Sequence, residues 1–235
     1  MVLDLINLYK EKYKLFLLEG TDYNELYKWE SLQNFQNNWN IDTDDFLEMY
    51  NRSFANEISS NLWASQFFYP KSAMIEFIKL DKERVREMFK NLYNEELDID
   101  KRIDSFVYHC DEMRKIIEKD NSSFKNHFHD GFRMISVYLS FKYPMTYSIY
   151  KYTEFKNFMT MVRAKTIPGT DEIDRFFKVM RTIYNIISKD QELMNIHKEL
   201  RKDQKYYQGD TLLLAQDLYW CTKYDLDRFN IPKKD

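Results

Sequence analysis

Apolar side chains recur at steps of three and four along almost the whole chain, and each such stripe predicts a helix with one buried face. Leu5, Leu8, Tyr9, Lys12 and Phe16 share one side of a first segment that Gly20 closes, since a helix end favours a residue tolerating left-handed backbone. Leu26, Trp29, Leu32, Phe35 and Trp39 form a second stripe, capped at Thr21 or Asp22, and Phe46, Met49, Tyr50 and Phe54 a third, opened by Asp42. Asp81 and Asp98 are placed to cap two more, the longer carrying Ile99, Ile103, Phe106, Val107, Cys110, Met113 and Ile117. The stripes predict helices over about 2–19, 23–38, 43–58, 71–79, 81–93, 99–119, 131–141, 153–164, 171–188, 190–202 and 211–223. Trp29, Phe35, Trp39, Phe106, Cys110 and Val137 are expected in the core.

The expected fold is therefore all-α, an irregular domain of about nine to eleven helices without a solenoid repeat. Three segments break the period. Trp63, Phe67, Phe68 and Tyr69 crowd together before Pro70 and read as an aromatic loop. The polar stretch from Lys119 to Gly131 reads as a flexible connection or a subdomain joint, dividing an N-terminal helical subdomain over 1–120 from a C-terminal one over 121–235, with one continuous domain as the alternative. Thr146 to Tyr152 alternates polar and aromatic residues, as a short strand or an extended segment does, and is the one place for a β element.

Composition agrees. With only 4 Gly and 4 Pro in 235 residues, turn-formers are too few for a sandwich or barrel. The net charge of −3 excludes a global electrostatic pull toward nucleic acid or anionic lipid, so any basic site must be local. Cys110 and Cys221 stand too far apart for a CxxC motif, and no apolar run of about 18 residues appears, so the chain is expected to be cytoplasmic, with no membrane partner.

Catalytic signals are weak. There is no Gly-x-Ser-x-Gly elbow and no glycine-rich phosphate loop, the cysteines lie on apolar faces, and paired carboxylates sit at exposed helix ends. His127-x-His129-Asp130 could bind metal with help from His109-Cys110, yet histidines in a polar loop are ordinarily solvated, so neither metal nor cofactor is expected. The most informative region is Phe141 to Lys165. It holds Lys142, Lys151, Lys156, Arg163 and Lys165 against the single acid Glu154, a net +4 in an acidic protein. Tyr147 and Tyr150 lie among these cations, and phosphate-neutralising charge beside stacking rings is what a nucleic-acid surface needs. Alternating tyrosines are also ordinary packing residues. Trp63, Phe67, Phe68 and Tyr69 form a second candidate, a pocket for a base or a partner helix, or else a lid on the core.

Several phrases carry a family resemblance: KWESLQNFQNNWNID from Lys28 to Asp42, RIDSF from Arg102 to Phe106, ISVYLSFKYP from Ile135 to Pro144, YKY from Tyr150 to Tyr152, and LLLAQDL from Leu212 to Leu218. Their order resembles the helical region in front of the AAA+ GTPase motor of McrB-type modification-dependent restriction proteins, over about residues 25–222. The resemblance implies a non-catalytic N-terminal module that selects DNA, often through a modified base, in an antiviral defence system, with the motor as partner in cis or trans. It implies either an excised domain or a free-standing relative, because the motor's Walker loops are absent. A protein-interaction or assembly domain is the alternative of a different class.

Overall fold

The computed structural model describes residues 3–20, 23–54, 59–63, 67–224, 226–229 and 231. Among them the chain is all-helical, with no β-strand. The helices are α1 (Leu3–Glu19), α2 (Tyr27–Asn38), α3 (Phe46–Ser53), α4 (Ser60–Trp63), α5 (Pro70–Leu80), α6 (Lys82–Leu92), α7 (Ile99–Asp120), α8 (Phe132–Lys142), α9 (Tyr152–Met161), α10 (Ile173–Ile187), α11 (Gln191–Leu200) and α12 (Leu213–Cys221). The turn α4, within a segment expected to be loop, takes the count one past the expected range. Val2, the cap at Thr21 or Asp22 and residues 55–58 of the expected third helix lie outside the described residues.

Local chemistry explains the boundaries. Gly20 adopts φ +72° after α1, and its amide reaches Phe16 O at 3.3 Å. Asp81 and Asp98 cap α6 and α7 by accepting the Arg84 and Asp100 amides. Asp45, not Asp42, caps α3, and Pro70 occupies the first turn of α5, where its missing N–H costs nothing.

The chain forms two compact units, and they do not follow the expected division at residue 120. One comprises residues 1–26 and 143–235, the other residues 27–142. Stripes predict each helix but not its distant partner: α1 packs with α10, α11 and α12, which follow it by well over a hundred positions. The polar loop of residues 121–131 is no joint. It lies inside the second unit, fastened by buried His127 and His129 and by a Lys125–Glu118 ion pair at 2.5 Å.

In the unit of residues 27–142, α2, α3, α5, α6, α7 and α8 surround an aromatic core. Phe89 is fully buried at its centre, with ring centroids 5.0 Å from Tyr138, 5.1 Å from Trp39 and 5.3 Å from Phe106. Trp29, Phe35, Phe106, Cys110 and Val137 are buried as expected. Trp39 is only half-buried, because it follows the last turn of α2 and covers Phe35 at 4.9 Å from the rim.

In the other unit, Tyr147, Ser148, Ile149 and Tyr150 are all buried, so no solvated face alternates with a packed one. Helical side chains rather than a ladder satisfy this extended backbone: Tyr219 Oη donates to Ile149 O at 2.9 Å and Arg181 to Thr146 O at 2.7 Å. This corrects the strand alternative at 146–152. Asp190 caps α11 through the Leu193 amide and meets Lys10 at 2.7 Å and Lys14 at 3.3 Å. Burial pushes its carboxyl up, but the Lys10 and Leu193 hydrogen bonds and the two ammonium charges outweigh this and bring it down to about 2. A depressed carboxylate stabilises the fold above its unfolded value and loses that contribution as pH falls through its folded value. Asp190→Asn keeps a capping oxygen but loses the charge facing both ammonium groups, and should therefore cost about 1–2 kcal/mol at pH 7. The urea-midpoint gap to wild type should narrow only below a pH of about 4.

Candidate functional site

The basic segment divides when folded. Lys142 ends α8 in the unit of residues 27–142, its ammonium 5.9 Å from the Tyr93 ring, while the remaining residues belong to the other unit. Tyr147 and Tyr150 are packing residues, with rings 5.0 Å from Phe177 and 5.0 Å from Phe176, so the stacking surface expected of them is not available. Lys151 precedes α9, half-buried, with its ammonium 5.7 Å from the Trp220 ring.

Lys156, Arg163 and Lys165 remain on the surface. All three are exposed, Lys156 on α9, Arg163 in the turn that ends it and Lys165 just beyond, and none forms an ion pair among the described residues. The turn has an unusual residue in it. The Ala164 amide reaches Met159 O at 2.9 Å and the Arg163 amide reaches Thr160 O at 3.0 Å, the pairing that closes a helix around a left-handed residue. Arg163 occupies that position at φ +49°, where glycine is usual and a side chain costs about 1 kcal/mol. Beside it, Glu154, Asn157, Thr160, Met161, Thr222 and Lys223 line a groove of about 400 Å³.

A second surface lies in the unit of residues 27–142. Of its four expected aromatics, Trp63 belongs to the core, 4% exposed and 5.8 Å from Phe54, which corrects its assignment to a pocket. Phe67 and Tyr69 are 74% and 56% exposed, and Phe68 lies half-buried with the Arg133 guanidinium 4.6 Å from its ring. Phe128, not foreseen, packs 5.6 Å from Phe68 and 6.1 Å from Tyr69. Tyr69, Ala73, Phe124, Lys125 and Phe128 help line a groove of about 500 Å³. Phe67 and Phe128 hold φ +63° and +61°, left-handed values that cost of order 1–3 kcal/mol each in a residue other than glycine.

Beneath this groove the two histidines of the polar loop point inward. His127 and His129 are 3% and 0% exposed, contrary to the solvated state expected of them, and Cys110 of α7 is buried beside them. One donor atom from each of the three lies within 4.8 Å of the others. Burial lowers both imidazoles, His129 to about 3 with His127 adding to the effect, and burial also pushes the Cys110 thiol up. His109 instead faces Arg84 at 3.1 Å, and Asp130 is exposed.

No family model, curated protein or solved structure matches this chain. The other unit holds one more buried polar cluster, built on Asp217 in the LLLAQDL run. Tyr13 Oη and Tyr23 Oη donate to Asp217 Oδ2 at 2.5 and 2.9 Å, and His197 Nε2 lies 2.6 Å from Tyr13 Oη. Because the Tyr13 proton is committed to the carboxylate, His197 Nε2 is the donor to the phenol oxygen. Desolvation, followed by the Asp217 charge, pushes both phenols up. Sequence spacing gave no sign of this cluster, because its members come from α1, the stretch before α2, α11 and α12. Among the described residues no helix is long and apolar enough to cross a membrane.

Proposed function

We propose that the chain is a non-catalytic DNA-recognition module of a McrB-like defence system, acting with an AAA+ GTPase motor. The observation that carries this reading is the exposed set Lys156, Arg163 and Lys165, unpaired with any described carboxylate, on one helix, in its closing turn and just beyond. Cations that neutralise phosphates dominate nucleic-acid affinity, and Arg163 stands exposed at a position whose backbone conformation favours glycine. Stacking by Tyr147 and Tyr150 is no part of the proposal, since both rings are buried.

The test is retention of labelled DNA duplex by wild type and by a Lys156→Glu, Arg163→Glu, Lys165→Glu variant, with helicity checked by circular dichroism. Wild type should bind at low salt and the variant should not. Arg163→Gly separates binding from folding: it relieves the left-handed strain, so stability should hold or rise by up to about 1 kcal/mol while affinity falls. Equal retention by wild type and triple variant would refute the assignment.

A second reading, a protein-interaction module, is favoured by exposed Phe67 and Tyr69, the latter on the rim of a groove that half-buried Phe128 also lines. Exposed aromatics on a preshaped surface are typical anchors of a protein interface. It predicts an interaction insensitive to salt and lost in Phe67→Ala, Tyr69→Ala, with the α9 cations immaterial.

A further inference from the structure

The loop of residues 121–131 turns alternate side chains in opposite directions, Phe128 toward the aromatic groove and His127 and His129 into the core against Cys110 of α7. We propose that Cys110, His127 and His129 bind a single zinc-class divalent ion, and that the ion fastens the loop presenting Phe128.

The donor set comes first. A thiolate and two imidazoles suit a borderline or soft ion such as Zn²⁺ and not the oxygen-seeking Mg²⁺ or Ca²⁺. All three donors are buried and share one small volume. Each imidazole, moreover, already has the outer partner that a metal-binding histidine needs. His129 Nδ1 lies 2.5 Å from His127 O, which can only accept, so the proton sits on Nδ1 and the lone pair on Nε2. His127 Nδ1 accepts the His129 amide at 3.0 Å, which places the His127 proton on Nε2, 3.4 Å from Asp111 Oδ1. A backbone carbonyl and a carboxylate, each holding one ring nitrogen and leaving the other to donate, form the usual support of zinc-bound imidazoles.

The required movement is small. Zn–N bonds of about 2.0–2.1 Å and a Zn–S bond of about 2.3 Å place tetrahedral donors roughly 3.5 Å apart. One nitrogen of each ring and the Cys110 sulfur already stand within 4.8 Å of one another, so gathering three donors around an ion takes ring rotation and a closure of roughly 1 Å. His129 Nε2 exchanges the Tyr138 hydroxyl, now at 3.0 Å, for the ion, and His127 Nδ1 exchanges the His129 amide. The Cys110 thiol releases its proton to solvent as the Zn–S bond forms, and water fills the fourth position. Tying α7 to the loop holds Phe128 in its left-handed conformation.

The test uses the full chain, reduced and freed of metal, titrated with Co²⁺ and then with Zn²⁺. The expected result is the thiolate-to-cobalt charge-transfer band with the intense visible bands of a four-coordinate site, saturating at a single equivalent and displaced by Zn²⁺. Cys110→Ala and His129→Gln should each lose these bands, whereas Cys221→Ala keeps them. Zinc should also slow hydrogen exchange across residues 121–131. If the variants fail to fold, the wild-type spectrum still decides: no cobalt binding, or a spectrum lacking the thiolate band, overturns the site. Exchange across 121–131 that zinc leaves unchanged overturns the fastening role.

Discussion

Replacing Asp217 with alanine should destabilise the unit of residues 1–26 and 143–235 by about 3–5 kcal/mol, because two phenols lose a charged acceptor at once. The carboxylate is fully buried, so water cannot readily replace it. Tyr13 would be left with its proton facing a void and its oxygen still held by His197, 2.6 Å away. Asp217→Asn keeps the volume and one acceptor oxygen, and should cost less, about 1–3 kcal/mol. Urea unfolding followed by circular dichroism measures both, and an alanine variant within about 1 kcal/mol of wild type would show that the cluster contributes little.

The second large effect belongs to the other unit. Phe89→Ala should cost about 3–5 kcal/mol, since the ring is fully enclosed by Trp39, Tyr50, Phe106 and Tyr138 and its loss leaves a cavity that neighbouring rings cannot fill without leaving their edge-to-face contacts. Phe89→Leu retains much of the volume and should cost about 1–2 kcal/mol. Near-UV circular dichroism should lose intensity in the alanine variant even where the helical signal persists, because the fixed packing of aromatic rings generates it. An unchanged near-UV spectrum would place the centre of the core elsewhere.

The helices were legible because amphipathic periodicity is local. Stripes such as Phe106, Cys110 and Met113 on α7 need only their own neighbours to be recognised, and so do the caps Asp81 and Asp98. What failed depends on distant neighbours. Tyr147 and Tyr150 can be read as stacking rings or as packing residues until α10 covers them with Phe176 and Phe177, and Trp63 looks like a loop residue until Phe54 receives it. The division into units depends on α1 returning to helices beyond residue 143, which no window of sequence reveals. The two surfaces were partly legible. Local charge density pointed to Lys156, Arg163 and Lys165, and ring density to Phe67 and Tyr69, but exposure alone separates these from Lys142, Lys151, Phe68 and Trp63. Phe128 and the inward histidines could have been suspected from the alternation His127-Phe128-His129, a period-two signal in a loop.

The DNA-reading role is tested most directly by the salt dependence of duplex binding, plain and modified, for wild type and for the Lys156→Glu, Arg163→Glu, Lys165→Glu variant. Three phosphate contacts at roughly −0.9 each predict that log Kobs falls with log salt at a slope of about −2.7 for wild type. The variant should show neither the affinity nor the slope. A wild-type chain that retains no duplex at low salt, or one whose binding is indifferent to salt and to the three substitutions, would contradict the role.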